Sequence, residues 1–135
     1  MSRSILFLSI MLVGGVLLYM VWPREQDLNV SPEVLAKLQM LRAQNKYVDR
    51  YGIIKSEERA RLEPLINDVL DTLIEGLPTN PRKSWALSEM KKTVARFHLE
   101  DTELREPSVE YIAQVIKVLG IQRTDWAFAR YMLFL

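Results

Sequence analysis

The sequence contains no cysteine, which excludes disulfide frameworks, thiolate zinc sites and cysteine nucleophiles. It has one histidine, His98, and no second histidine at metal-binding spacing. We interpret His98 as complementing a helix dipole, with metal binding or acid–base work as the alternative. Gly-x-Ser-x-Gly turns and glycine-rich phosphate loops are missing as well. The sequence therefore predicts no catalytic residue, no cofactor and no metal site.

Charge is nearly missing from the front of the chain. Arg3 is the only charged residue before Arg24, and from Arg24 onward the other 17 Lys and Arg balance 17 Asp and Glu. Because the charged part is neutral overall, nucleic-acid binding driven by bulk charge is not expected. A length of 135 residues is sufficient for one domain of ordinary size.

The uncharged run Ile5–Trp22 has the composition of a membrane span, since 15 of its 18 residues are hydrophobic. A helix of this length extends about 27 Å, close to the roughly 30 Å of bilayer hydrocarbon, and Pro23 would end it. We predict a transmembrane signal anchor over residues 1–23, a polar juxtamembrane linker over 24–31 and a helical domain over 32–135. The lipid bilayer is thus the first predicted partner.

Two other interpretations of this run remain open. A cleaved secretory signal would need a shorter apolar core and a small-x-small cleavage site, whereas Tyr19–Pro23 offers no small residue. A buried helix of a soluble protein is the third choice. The orientation of the span is not settled by the positive-inside rule, because the number of basic residues before the span, at Arg3, is nearly matched by the number just after it. A short charged segment in front of a long apolar run is typical of an anchor whose amino terminus lies in the cytoplasm. This orientation places the domain on the outer side of the membrane.

After the linker, hydrophobic residues recur at spacings of three and four, the pattern of amphipathic helices, and no run alternates with period two. The predicted boundaries come from capping residues, glycines and prolines. They are Ser31-Pro32 to Tyr51-Gly52, Ser56 to Gly76 with Pro64 as a kink or first turn, Asn80-Pro81 to Phe97, Thr102 to Gly120, and a short last helix from Thr124 or Asp125. The expected fold is all-α, a transmembrane helix followed by a compact four- to five-helix bundle.

The segment Trp126–Leu135 is hydrophobic except for Arg130. Ten residues are too few to span a bilayer, so we expect a helix at the centre of the bundle. The alternative is a helix that leaves one face for a partner or for a second copy of the chain.

The densest polar constellation is Glu100–Glu106, followed by Pro107. Acidic residues concentrate at helix starts because the dipole favours them, which explains Asp101, Glu103 and Glu106 structurally, with Asp101 or Thr102 as the cap. The alternative is a contact site for a partner protein or a cation. If the structural explanation holds, one of these acids pairs with Arg130, because a half-buried guanidinium needs a partner. The candidate site therefore comprises Asp101, Glu103, Arg105, Glu106 and Arg130.

A second group combines basic and aromatic residues. It consists of Arg42, Lys46, Tyr47, Arg50, Tyr51 and Lys55. Acidic residues interrupt the group, so we expect a solvated helix face, with contact to anionic lipid headgroups as the alternative.

The residues Asp101-Thr102-Glu103-x-Arg105-Glu106, then Tyr111, then Val118-Leu119-Gly120-Ile121 and a final helix with Trp126 resemble the bacterial domain-of-unknown-function family DUF4844. The resemblance lies mainly in residues 62–135 and includes Asn80-Pro81. Members of the family tend to end with an Asn-x-Trp-like element and a glycine, whereas this chain ends in RYMLFL. The resemblance implies a small bacterial all-helical domain without an assigned activity. Together with the predicted anchor, a bacterial origin leads us to expect an inner-membrane protein whose domain lies on the periplasmic or outer side.

Since catalytic patterns are missing, the sequence favours a non-enzymatic module that binds an unknown protein partner, as an envelope adaptor or inhibitor. The alternative function is a membrane-tethered hydrolase that uses Glu103, Glu106 and His98. A purely structural membrane protein is the third choice. The sequence leaves the oligomeric state open.

Overall fold

The computed structural model describes residues 25–48 and 54–122. Within these ranges the chain forms four α-helices and no strand, and the helices pack into a compact bundle. The helices are α1 (Pro32–Ala43), α2 (Ser56–Gly76), α3 (Lys83–Val94), which continues into a 3₁₀ turn (Ala95–Phe97), and α4 (Thr102–Val118). The all-α prediction is confirmed for this part of the chain.

None of the described helices is both long and apolar enough to cross a membrane. The predicted span Ile5–Trp22 lies outside the described residues, and so does the predicted last helix at Trp126–Leu135.

Helix α1 begins where the sequence predicts and ends earlier. The Val34 N–H donates to the Ser31 hydroxyl at 3.2 Å, Pro32 occupies the first turn and Glu33 lies near the positive end of the dipole. The helix ends at Ala43, because Gln44 adopts an extended backbone conformation. The predicted end at Tyr51-Gly52, a pair outside the described residues, is therefore wrong.

Helix α2 runs without interruption through Pro64. Proline removes one backbone hydrogen bond and normally kinks a helix. Here Leu62 and Ile66 on either side of it are both completely buried, so core packing holds both halves of the helix in the bundle. Pro64 is thus neither the start of the helix nor a break in it.

Gly76 is the last residue of α2, as predicted, and the structure gives it a second role. A Cβ atom at this position would overlap the indole ring of Trp85 in α3. The missing side chain therefore permits the close approach of α2 and α3 at this end of the bundle.

Helix α3 begins at Lys83 rather than at Asn80-Pro81. The Pro81 carbonyl accepts the Leu28 N–H at 2.6 Å, and the Lys83 N–H donates to the Gln26 carbonyl at 2.9 Å. These bonds form an isolated antiparallel bridge between Asp27 and Arg82. The predicted linker 24–31 is therefore attached to the bundle over its described part, and Leu28 contributes to the core.

Helix α4 carries the predicted hydrophobic positions, with Ile112, Ile116 and Leu119 buried and Val109 partly buried. It ends in a Schellman motif: the Ile121 N–H donates to the Ile116 carbonyl at 3.2 Å and the Gly120 N–H to the Lys117 carbonyl at 3.1 Å. Gly120 has a φ of 71°, which favours glycine.

The core fills the space between the four helices. It combines buried residues from each helix with Leu28 and Tyr47 from the segments outside them. Its fully buried side chains include Leu38 of α1, Leu62, Ile66 and Leu73 of α2, Met90 of α3, and Phe97 of the 3₁₀ turn.

Candidate functional site

The acidic segment, Glu100–Glu106, covers the start of α4. Asp101 occupies the N-cap position, although its side chain accepts no capping hydrogen bond. Asp101, Glu103 and Glu106 are exposed, whereas Leu104 is buried and Arg105 is partly buried. The predicted acids thus share one end of the bundle with their carboxylates in solvent.

The arginine that pairs with this segment in the described structure is Arg61 of α2. Its guanidinium binds the Glu100 carboxylate through both nitrogens, with Nη1 close to Oε1 and Nη2 2.9 Å from Oε2. The hydrogen bond from Arg61 lowers the pKa of Glu100 from its usual value. Arg130, which the sequence proposes as the partner, lies outside the described residues.

Leu99 is the most exposed large hydrophobic residue that the structure describes, at 97% of its surface. It lies in the Leu99 turn, His98–Glu100, which joins the 3₁₀ turn to α4. Phe97 before it is completely buried, and the Glu100 N–H donates to the Phe97 carbonyl at 3.1 Å. Because Arg61 also holds Glu100, the turn is fixed on both sides of an exposed leucine.

The three residues of the hydrolase hypothesis, His98, Glu103 and Glu106, are all exposed. None of them lines the groove that the structure forms along α4. In residues 25–48 and 54–122, no group of three His, Cys, Asp or Glu side chains is arranged to hold a metal ion.

The expected basic and aromatic face does not form where the structure describes it. Arg42 pairs with Asp71 of α2 at 2.8 Å between Nε and Oδ1. Lys46 is only 1% exposed, and its ammonium group donates to the carbonyls of Arg42 at 3.2 Å and Gln44 at 3.0 Å, so it caps the end of α1. Burial lowers the pKa of Lys46.

The other residues of the basic and aromatic group do not form a common exposed face in the described structure either. Tyr47 is buried, Lys55 is exposed at the start of α2, and Arg50 and Tyr51 lie outside the described residues. The interpretation as one solvated face is therefore wrong for Lys46 and Tyr47.

A buried hydrogen-bond network connects Tyr47 to α4. The Tyr47 N–H donates to the Tyr111 hydroxyl at 2.8 Å, and the Tyr47 hydroxyl lies 2.7 Å from the Ser108 hydroxyl. Ser108 in turn donates to the Leu104 carbonyl at 2.7 Å, and the two tyrosine rings meet edge to face at 5.3 Å between centroids. Burial raises the pKa of Tyr47 to about 12. The network fixes the loop after α1 against the first half of α4, directly behind the acidic segment.

The α4 groove has a volume of about 580 Å³ and lies along the second half of α4. Its lining includes the exposed Glu110 and Lys117, the partly buried Ala113 and Gln114, and the buried Ile116 and Ile121. The groove therefore combines an apolar floor with charged residues at its border.

A family model, the domain of unknown function DUF4844, matches residues 29–133. The chain belongs to the DUF4844 family. The match begins well before residue 62, so the DUF4844 domain includes all four described helices as well as most of the segment after Gln122. The predicted anchor Ile5–Trp22 lies outside it. No curated protein and no solved structure matches this DUF4844 chain.

Two site features could not be found from the sequence alone. Arg61 is separated from Glu100 by 39 positions, and no local pattern connects them. Leu99 lies two positions after Phe97 and so departs from the spacing of the hydrophobic residues of α3, but that spacing alone does not show whether Leu99 is buried by another element. Its exposure depends on where the 3₁₀ turn ends.

Proposed function

We propose that this DUF4844 protein is a non-enzymatic protein-binding module, an adaptor or inhibitor, that Ile5–Trp22 anchors in the bacterial inner membrane with the helical domain on the outer side. The anchor rests on the hydropathy and length of that run. The binding role rests on one structural observation, the exposed Leu99 on a fixed turn beside exposed carboxylates.

A single exposed leucine is common on protein surfaces. Leu99 differs because the turn on both sides of it is already held, by buried Phe97 and by the Arg61–Glu100 pair. Little conformational entropy is therefore lost when a partner covers it, and burying a leucine side chain contributes roughly 1.5–3 kcal/mol.

The charges around Leu99 define the chemistry of the partner. Asp101, Glu103 and Glu106 are exposed at the start of α4, whereas the exposed Arg61 is already paired with Glu100 and the exposed Arg96 lies on the 3₁₀ turn before Leu99. Negative charge steers association with a basic surface and suppresses wrong partners. The complementary partner is thus a protein that presents an apolar pocket with lysine or arginine at its border.

The test uses the full-length chain in its native membrane, with a photo-crosslinking amino acid in place of Glu103. We expect an adduct with a protein partner that remains in the membrane pellet after a carbonate wash. The adduct should be lost when Leu99→Asp or Glu106→Lys is added, because these changes remove the apolar contact or reverse the charge. Both side chains are exposed, so the melting temperature should stay within about 2 °C of the parent.

Matched controls distinguish specific binding at Leu99 from non-specific crosslinking, and they test the anchor separately. The same crosslinker at Thr72, which is exposed on α2, should give no adduct that depends on Leu99. Leu12→Arg with Val16→Arg should release the protein from the membrane, since each arginine costs about 2.5–3.5 kcal/mol at a span centre. An adduct at position 103 that is unchanged in Leu99→Asp would contradict the binding role, and a chain that stays soluble without these arginines would contradict the anchor.

A further inference from the structure

The side chains of Arg61 and Glu100 connect the Leu99 turn to α2, although they lie 39 positions apart in the chain. Both Nη atoms of the guanidinium face the carboxylate, and Nη2 lies 2.9 Å from Oε2. Such a bidentate pair fixes the orientation of the two side chains as well as their distance. Glu58, the carboxylate one turn before Arg61, already accepts the Lys55 N–H at 2.9 Å at the start of α2.

We propose that Arg61 and Glu100 are positioning residues of the binding surface, which hold Leu99 in the orientation that the partner meets and do not contact the partner themselves. This inference rests on the proposed function. The partner presents lysine or arginine, so a direct contact with the like charge of Arg61 would be repulsive. The side chain of Glu100 is only 13% exposed and is occupied by Arg61, so it offers little to a basic group of the partner.

The backbone of the turn explains why this pair matters for Leu99. Phe97 is completely buried on one side of the turn, and Asp101 begins α4 on the other. Between them the turn keeps one described backbone hydrogen bond, from the Glu100 N–H to the Phe97 carbonyl at 3.1 Å. Removing the ion pair should therefore loosen the short segment around Leu99 while the helices at both ends stay folded.

Positioning and electrostatic steering give different predictions for the two residues. Arg61→Ala makes this end of the bundle more negative, whereas Glu100→Ala makes it less negative. If the residues acted through long-range charge, the first variant would strengthen and the second would weaken binding to a basic partner. If they act by holding the turn, both variants weaken binding.

The full-length chain in its native membrane, with the photo-crosslinking amino acid at position 103, measures this difference. We expect the yield of the partner adduct to fall roughly two- to tenfold in both variants, the range expected when one side chain must be ordered on binding. The exchange Arg61→Glu with Glu100→Arg should recover most of the yield, because it restores the pair at the same net charge. Arg59→Ala is the matched control, since Arg59 pairs within α2, with Glu63 at 3.0 Å. Its yield should stay within about twofold of the parent.

Limited proteolysis tests the turn without any partner. Thermolysin cleaves before large hydrophobic residues, and the full-length chain in detergent micelles offers it the exposed Leu99 and, only after unfolding, the buried Leu70. We expect cleavage before Leu99, relative to cleavage before Leu70, to rise roughly fivefold in Arg61→Ala and Glu100→Ala and to return towards the parent value in the exchange variant. A loss of overall stability alone would raise both cleavages together, so the ratio reports the turn itself.

The outcomes separate this inference from the proposed function. An adduct yield that rises in Arg61→Ala and falls in Glu100→Ala would refute positioning and assign both residues to steering. An unchanged cleavage ratio in both variants would also refute it, because other contacts would then hold the turn. If the parent chain gives no adduct, the proposed function fails, whereas the cleavage ratio still decides whether Arg61 and Glu100 hold Leu99 in place.

Discussion

At the scale of single residues, Tyr47 shows how tertiary contacts override a local preference. Its φ of 54° is the only positive value among the described residues other than glycine. Such a conformation costs about 1–3 kcal/mol in a residue of this size. The hydrogen bonds to Tyr111 and Ser108 and the buried edge-to-face ring contact offset that cost.

The hydrogen bond between Tyr47 and Ser108 predicts that removing one hydroxyl costs less stability than removing the other. Ser108 donates to the Leu104 carbonyl, so the Tyr47 hydroxyl is the donor to Ser108. Tyr47→Phe should therefore cost only about 0.5–1.5 kcal/mol, whereas Ser108→Ala leaves a buried donor without its partner and should cost about 1–3 kcal/mol. Urea unfolding at neutral pH measures both.

The double variant Tyr47→Phe/Ser108→Ala provides the control. Its loss should be smaller than the sum of the two single losses, because the unsatisfied hydroxyl is gone. Strict additivity would mean that the two hydroxyl groups do not interact in solution.

At the scale of elements, the segment before α1 forms part of the domain. It forms the bridge at Asp27 and Arg82, buries Leu28 and accepts the Ser84 N–H on the Glu25 carboxylate at 3.1 Å. The hydrogen bonds from Ser84 lower the pKa of Glu25. If Ile5–Trp22 is a membrane helix, this attachment holds the start of α3 close to the bilayer, because few residues remain between Pro23 and Glu25.

The attachment predicts a contrast between two neighbouring positions. Leu28→Ala should destabilise the domain by about 2–5 kcal/mol, since it empties a buried site. Asn29→Ala, at an exposed position, should change stability by less than about 0.5 kcal/mol. Thermal melts of the two variants measure the difference, and similar melting temperatures would show that the segment is only a tether.

At the scale of the whole molecule, the pKa shifts of Glu100, Tyr47 and Lys46, together with that of Glu25, make the stability of the bundle depend on pH. The lowered pKa of Glu100 contributes stability above its usual value of 4.5, and this is lost as the pH falls through the folded pKa. The raised pKa of Tyr47 contributes stability below pH 10.0 that is lost as the pH rises to about 12. The lowered pKa of Lys46 has the opposite effect at alkaline pH. Because the folded state releases the Lys46 proton before the unfolded state does, this group increases the stability of the fold as the pH rises towards 10.5.

The directions of these pKa shifts predict the pH ranges in which single variants change the stability of the fold. Relative to the parent, Glu100→Gln should lose stability at neutral pH and little at strongly acidic pH. The stability difference between the parent and Tyr47→Phe should shrink between pH 10 and 12. Denaturant midpoints measured across both ranges test this, with the same substitution at an exposed residue of α2, Glu57→Gln, measured alongside. A parallel shift of the whole curve in Glu100→Gln would show that Arg61 does not act through the charge.

The sequence alone determined the helices and their approximate order, because hydrophobic spacing, prolines and glycines act locally. Ser31-Pro32 and Gly120 set helix ends that the structure retains, and the family resemblance at Asp101–Glu106 indicated the right family. The same local signals failed at Asn80-Pro81 and at the end of α1, where Leu28 and Tyr47 make contacts with residues far away in the chain.

Only the tertiary structure decided which polar residues meet. The Arg61–Glu100 pair, the burial of Lys46, the Tyr47 network and the exposure of Leu99 each depend on packing between elements that no sequence spacing connects. The physical reason is the distance along the chain over which each effect acts. Helix propensity and amphipathic spacing extend over a few residues, whereas the partner of a charge or hydroxyl is set by how whole helices pack.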